Sequence, residues 1–470
     1  MKLTKPLTAA LAAAVLAACS ATPGLRPSLD LPQAETAAPS SVERWWTQFN
    51  DPQLVALVDE ALANNLDLKI AVARIEESRA NLRLARSEFF PSLDANFSSN
   101  RGKRSEATDL RQGPPFTSTT HNLGLAAAYE IDVFGRVRAG ADAASRSLDA
   151  QRFDAIAVRI SLAAQVASTY FALRSFDADL AVTRATLTTR DENVRLQKRR
   201  ADVGETSQYD LVQAEAERAS VAAIVPQLEK AVAQSESALA VLLGRSARAV
   251  FAPAVVRGAE LEKFDGVAPD VPAGLTSDLL ARRPDVRRAE LLLDASDARV
   301  AEARAQYYPR LTLTASYGGE SAELSDLLKS PARVWSIAGG LVQPIIGINR
   351  INAQVDAASA RRTQVSLAYQ QSVQAAFRDT HDALVAHRGA RASYVAQDER
   401  RNKLATALRL AELRYKSGYT SYLEVLDAQR GLLSAERDRI NALRDRQTAV
   451  VDLYKALGGG WSMTEAVAAK

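Results

Sequence analysis

One cysteine and three histidines are all that this chain of 470 residues offers for soft-metal ligation or for a thiol or imidazole nucleophile. His381 and His387 are six residues apart, whereas two ligands on one helical face sit three or four apart. His121 lies far from both in sequence. Cys19 alone makes neither an intrachain disulfide nor a thiolate cluster. The chain has no P-loop, no dinucleotide glycine fingerprint, no HExxH and no GxSxG. These residues point to no metal, no cofactor and no enzyme.

Cys19 has a different chemistry available. Lys2 and Lys5 precede an apolar stretch from Leu7 to Ala18, which is secretory-signal architecture and too short to span a membrane. The stretch ends in Leu16-Ala17-Ala18-Cys19. That sequence resembles a bacterial lipobox, whose cysteine is acylated once the signal is cut before it; an ordinary signal peptide with a chance cysteine is the alternative. Ser20 follows, not the aspartate that retains known lipoproteins in the inner membrane, so the expected address is the outer membrane. The partition is then a signal peptide at 1–18 and a lipidated leader at 19–44, extended by Pro23, Pro27, Pro32 and Pro39.

Without Lys2 and Lys5 the mature chain carries 57 basic and 55 acidic residues, which gives no sign of a nucleic-acid partner. An apolar fraction of 47% excludes general disorder. Beyond the first 18 residues no apolar run approaches the roughly 20 residues of a spanning helix.

The elements that carry these residues are written twice. Asp142-Ala143-Ala144-Ser145 recurs as Asp356-Ala357-Ala358-Ser359, Gly204 as Gly418, Ser207 as Ser421, Ala214 as Ala428 and Leu243-Gly244 as Leu457-Gly458, all 214 residues on. Phe89-Phe90-Pro91 recurs as Tyr307-Tyr308-Pro309. We read repeats at 45–245 and 275–458, a proline-bearing linker at 246–274 and a tail at 459–470. Each repeat predicts a helix (Asp67 to Phe90; Pro284 to Tyr308), two strands, a very long helix (Arg136 to Val203; Asn349 to Ser417), a glycine turn and a last helix (Ser207 to Leu243; Ser421 to Leu457). The longest would span about 100 Å. Leu423, Leu426, Arg430, Leu433, Arg437 and Ile440 alternate three and four apart, which suits an antiparallel coiled coil or a helix in a wall with one wet face.

The strand segments alternate with period two. Leu93, Ala95 and Phe97 alternate with polar residues, as do Leu311, Leu313, Ala315 and Tyr317; Leu123 to Ile131 and Trp335 to Leu341 alternate apolar with small residues. A soluble sandwich gives the same pattern. Strands of about ten residues with Phe89, Phe90, Phe134, Tyr307, Tyr308 and Trp335 at their ends favour a transmembrane barrel. Four strands cannot close one, and lipid tolerates no open edge, so the barrel must be shared among chains. The hairpins put the helices on the side of the lipidated N-terminus, the periplasm, and the loops 101–118 and 320–333 outside.

Arg414-Tyr415-Lys416-Ser417-Gly418, Tyr422 to Arg430 and Leu453 to Trp461, with Trp45 to Phe49, Asp51 to Leu54 and Arg282 to Val286, resemble the outer-membrane efflux factors of the TolC-like superfamily, in the lipoprotein branch of OprM and NodT type. The resemblance covers essentially the whole mature chain. It implies a mainly α protein with a transmembrane β part: a homotrimer with a long α-helical barrel of twelve helices and a twelve-stranded β-barrel, four strands per chain. It implies a periplasmic membrane-fusion adaptor and an inner-membrane pump of RND type as partners, besides outer-membrane lipids. The expected function is a passive duct for drugs or other small toxic molecules, with the outlet of a type I protein-secretion system as the alternative and a poreless adhesive lipoprotein as the rival class.

Two clusters follow. Asp427 and Arg430 lie three apart, with Leu423 one turn earlier. By resemblance these match the constriction of the lipoprotein branch, a periplasmic gate that Arg414 and Tyr415 brace; a solvated helix pair is the bland alternative. The turns Gly204, Glu205, Thr206, Ser207 and Gly418, Tyr419, Thr420, Ser421 face the adaptor on this layout, or are only glycine C-caps.

Overall fold

The structure is a computed structural model, and it describes residues 27, 44–103, 117–251, 255–258, 260–264 and 283–459. Cys19, the signal, the leader up to residue 43 apart from residue 27, residues 104–116 of the 101–118 loop, residues 265–282 and the tail beyond Gly459 lie outside the described residues. The chain divides into two compact units, one built on Ile75–Gln151 with Ala289–Gln370 and the other of Leu29–Arg74, Arg152–Arg288 and Gln371–Lys470.

In chain order come α1 (Pro52–Asn64), α2 (Leu66–Ser87), β1 (Ser92–Lys103), β2 (Thr117–Ile131), α3 (Arg136–Asp202), α4 (Gln208–Leu242), α5 (Pro284–Ala305), β3 (Arg310–Ser321), β4 (Arg333–Val342), α6 (Ile348–Lys416) and α7 (Tyr422–Ala456). α3 and α6 run for 67 and 69 residues, about 100 Å each at the α-helical rise. α1 was not expected. Asp51 caps it, accepting from the Gln53 amide at 2.8 Å. Asn65 both ends it and starts α2: its Oδ1 accepts from the Leu68 amide at 3.1 Å and its Nδ2 donates to the Leu242 carbonyl at 2.9 Å.

The first unit holds an antiparallel sheet in the order β1-β2-β3-β4. Its register gathers most of the large apolar side chains on one face. Phe97 pairs with Leu123, Leu125 with Tyr317, Tyr317 with Trp335, and Leu311 with both Ile131 and Leu341. The other face carries Asn96 beside Gly124 and Gly318, and Ser316 beside Ser336, whose hydroxyls meet at 2.8 Å. Gly318 is required there, since a Cβ would lie 2.3 Å from the Leu123 carbonyl oxygen. The apolar face is bare: Leu93, Trp335, Ile337 and Leu341 are all exposed. Among the described residues the outer edges of β1 and β4 have no strand partner. At the sheet's base Asp132 accepts from the Val137 and Arg138 amides and so starts α3. Phe134 stacks on Tyr308, 4.8 Å between ring centres.

The second unit holds the main apolar core. Trp45, Trp46 and Phe49 of a 3-10 turn, with Leu54 and Leu57 of α1, pack on Tyr170, Phe171 and Leu173 of α3, Leu239 of α4 and Leu443 and Val450 of α7. Burying each such side chain contributes about 1.5–3 kcal/mol. Val255, Leu261 and Phe264 join this core, so residues 246–274, read from sequence as a linker, supply core side chains. Asp51 accepts from the buried Tyr170 hydroxyl at 2.5 Å. α3 also holds a segment apolar and long enough to cross a membrane, contrary to the sequence reading; half of it is buried, and Val166, Ala167, Tyr170 and Phe171 place it in this core. The stripe that α7 buries also differs from the expected seam. Tyr422, Leu426, Leu433, Ile440 and Leu443 are buried, whereas Leu423 is 50% exposed. Arg430 and Arg437, the seam's charged members, reach buried acids on other helices: Arg430 bonds Glu217 of α4 at 2.6 Å and Arg437 bonds Asp179 of α3 at 2.8 Å.

Candidate functional site

The predicted gate residues gather in the second unit, where the ends of α3 and α6 meet the starts of α4 and α7. Tyr422, Val425 and Leu426 of α7 and Ala214 of α4 form a small core here, with Val194, Leu408, Ala411 and Tyr415 against it. That core fixes the rotation of α7. Its first turns then turn Leu423, Asp427 and Arg430 outward, all three exposed.

Arg430 has two carboxylate partners of different kind. Its Nε donates to Glu217 at 2.6 Å and its Nη1 to Asp427 at 3.5 Å. The Glu217 side chain is 6% exposed and that of Asp427 66%. The hydrogen bond to Glu217 is the main cause that raises the Arg430 pKa above its ordinary value. Exposed pairs such as Arg430–Asp427 are worth about 0.2–1 kcal/mol, so Glu217 is the stronger tether. Arg190 of α3 lies nearby, buried, and donates through Nη1 to Gln429. Burial lowers its pKa, opposed by the charge of Glu217.

Tyr415 connects the end of α6 to the end of α3. Its hydroxyl accepts from Gln197 at 3.2 Å and Arg200 at 3.3 Å, both on α3, and its ring lies 5.5 Å from that of Tyr422. Burial raises the Tyr422 pKa, and its hydroxyl has no hydrogen-bond partner among the described residues. Among the described residues the Arg414 side chain makes only a long, exposed contact of 3.9 Å with Glu424. Sequence reading missed Glu217, Arg190, Gln197, Arg200 and Gln429. The signal was present in the repeat offset: Glu217 and Arg430 are 213 residues apart, close to the 214 that relates the copies.

The two tip turns share one backbone motif. Gly204 has φ +76° and Gly418 φ +75°. The amide of Glu205 bonds the Arg200 carbonyl at 2.8 Å, and that of Tyr419 bonds the Arg414 carbonyl at 2.9 Å. They differ in the next cap. Ser207 accepts from the Asp210 amide, and the Ser207 and Thr206 hydroxyls both donate to the Asp210 carboxylate, at 2.9 and 3.0 Å. Ser421 makes no side-chain cap bond. Thr206 therefore belongs to the cap, whereas Val203 and Tyr419 are 70% and 79% exposed. None of these groups forms a constellation for covalent chemistry, and among the described residues no cluster of three metal-ligating side chains occurs.

The model of the family described as outer membrane efflux protein matches residues 57–245 and 275–459. The chain is 37% identical over 422 residues to the solvent efflux pump outer membrane protein SrpC of Pseudomonas putida, covering 89% of this chain and 87% of that one. It is similar to the crystal structure of a membrane protein from Pseudomonas aeruginosa, with TM-score 0.86, 34% identity, 93% of this chain and 99% of that one covered. The open state of the Neisseria gonorrhoeae MtrE outer membrane channel aligns with TM-score 0.79 and 32% identity, over 93% of this chain and 98% of that one. With both halves matched by one family model and relatives of this identity along nearly its whole length, the chain belongs to the outer membrane efflux protein family.

Proposed function

We propose that three copies of this outer-membrane efflux protein close one passive channel, which conducts small toxic molecules outward from the periplasm together with an adaptor and an inner-membrane pump of RND type. The observation that carries this is the sheet: four strands whose two edges are unpaired among the described residues, one face apolar and bare, the other mostly small and polar. A lipid bilayer satisfies the apolar face, and strand pairing between chains satisfies the edges. Three copies give twelve strands, wide enough to leave water inside. The name of the solvent efflux relative favours small molecules as cargo.

Leu423, Asp427 and Arg430 act as the periplasmic gate. Their exposure on one side of α7, and the tether from Arg430 to Glu217, support this. Repeated three times on an axis, Leu423 makes an apolar ring and Asp427 an acidic one that favours cations. The turns at Gly204 and Gly418 dock the adaptor, and Cys19 carries the lipid anchor. The test is single-channel conductance of the purified full chain in planar bilayers. The wild type should conduct as a trimer in small steps. The variant with Leu423→Ala, Asp427→Ala and Arg430→Ala should conduct several-fold more while remaining trimeric. A wild type that never conducts overturns the channel, and a triple variant indistinguishable from it moves the gate elsewhere. Fatty-acid labelling should mark the wild type and not Cys19→Ala; label retained in the variant refutes the lipobox.

A further inference from the structure

We propose that the base of the β-sheet carries a binding belt for the phosphodiester headgroups of anionic glycerophospholipids, made by Arg86, Arg304 and Arg350 with Phe90, Ile345 and Ile346. The proposal rests on the channel reading, which places this sheet in a bilayer.

All six residues come to one end of the sheet by topology. Arg86 lies in the last turn of α2, ahead of β1; Arg304 in the last turn of α5, ahead of β3; Arg350 in the first turn of α6, just after β4. The register puts the start of β1, the start of β3 and the end of β4 at the same edge, since Ser92 pairs with Ala128, Ile131 with Leu311, and Leu311 with Leu341. The basic side chains at this end divide into two kinds. Arg136 is neutralised by Glu130 at 2.9 Å and Glu88 at 2.9 Å, and Arg138 is held by Asp132. Arg86, Arg304 and Arg350 are exposed and have no carboxylate partner among the described residues. Arg310 is exposed too, but the register sets it on the polar face with Thr312, away from lipid.

The helix dipole explains two of the three, because a cation is stabilised at the C-terminal turns that hold Arg86 and Arg304. It disfavours Arg350, which sits in a first turn. A phosphate suits all three. Beside them the chain exposes Phe90 at 71%, Ile345 at 86% and Ile346 at 95%, continuous in sequence with the bare apolar face that ends in Leu341. Apolar anchors next to unpaired guanidinium groups are what a bilayer interface selects: the side chains enter the acyl region and the cations reach the headgroups.

The test uses the full chain in nanodiscs containing equal phosphatidylcholine and phosphatidylglycerol, extracted and weighed by native mass spectrometry. The wild type should retain phosphatidylglycerol at least threefold over phosphatidylcholine. R86Q/R304Q/R350Q should bring that ratio to about one, and the corresponding lysine triple should keep most of it. Inorganic phosphate at millimolar concentration should not displace the lipid. Equal retention of both lipids by the wild type overturns the belt, even if the glutamine triple fails to assemble. An unchanged ratio in the glutamine triple also overturns it, as does displacement of the lipid by free phosphate. If the belt is instead a contact with a second copy of the chain, the glutamine triple dissociates in either lipid while the wild type shows no preference, and the proposal fails. Conductance, measured on the same preparations, keeps the two readings apart: a conducting wild type without lipid preference loses the belt and retains the channel.

Discussion

Arg430 holds an exposed acid with one end of its guanidinium and a buried one with the other, and the two should not behave alike on mutation. Removing Asp427 costs little, because water already solvates it. Removing the charge of Glu217 frees Arg430 from α4 and deprives the buried Arg190 of the opposing charge that favours its ionised form most. We expect Glu217→Gln to weaken the tether by about 1 kcal/mol per chain after solvent screening on the Arg430 side. Three chains opening together would then favour the open gate by up to about a hundredfold. The measurement is the open probability of single channels, which should rise for Glu217→Gln and change little for Asp427→Asn. Equal effects would make Glu217 an ordinary surface acid. The spacing of Leu423, Asp427 and Arg430 was readable because neighbours on one helix face are fixed by 3.6 residues per turn. Glu217 was not, since nothing in a helical period says which residue of another helix lies opposite; only the copy offset could have indicated it.

At the scale of elements, the glycine turns were legible and the capping around them was not. A residue with positive φ at the end of a long helix selects glycine, and that preference is written at Gly204 and Gly418. Whether a neighbouring hydroxyl serves a cap or a partner depends on a side-chain hydrogen bond that composition does not specify. Thr206 bonds Asp210, so replacing it tests the cap and the docking surface together. A Cβ on Gly204 or Gly418 would meet nothing within 4 Å. Alanine there should therefore cost only the backbone term, about 1–2 kcal/mol per site, seen as a lower Tm. Val203 and Tyr419 allow docking to be tested alone, since both side chains are exposed. Val203→Asp with Tyr419→Asp should leave the Tm within a degree or two while reducing crosslinking to the adaptor and resistance to toxic compounds. Unchanged crosslinking would reduce these turns to caps. α1 escaped the sequence reading for a related reason. The first helix was read as beginning at Asp67, and the Asp51 cap that starts α1 and the Asn65 bonds that end it are side-chain contacts that periodicity does not specify.

For the whole molecule, the question is which solvent each face of the sheet meets once its edges are closed. Period-two alternation was visible in the sequence, but a sandwich over a soluble core would show it too; what separates the two is that the apolar rows stay bare. Adjacent residues of β4 make the cleanest comparison. Ile337 lies on the apolar face opposite Ala315 and is 73% exposed, and Ser336 lies on the polar face opposite Ser316. Both are near the middle of a ten-residue strand. An arginine on the lipid face near the bilayer midplane costs about 2–4 kcal/mol per chain, and a closed barrel of three chains bears that cost three times. In a water-filled lumen the same side chain keeps its hydration and only changes the field along the path. Ile337→Arg should therefore abolish the membrane-integrated trimer, read as loss of the assembled species on flotation and native electrophoresis. Ser336→Arg should assemble normally and shift the single-channel reversal potential toward anions. If Ile337→Arg inserts as well as Ser336→Arg, the apolar face does not meet lipid, and the strands of this chain do not form a membrane barrel.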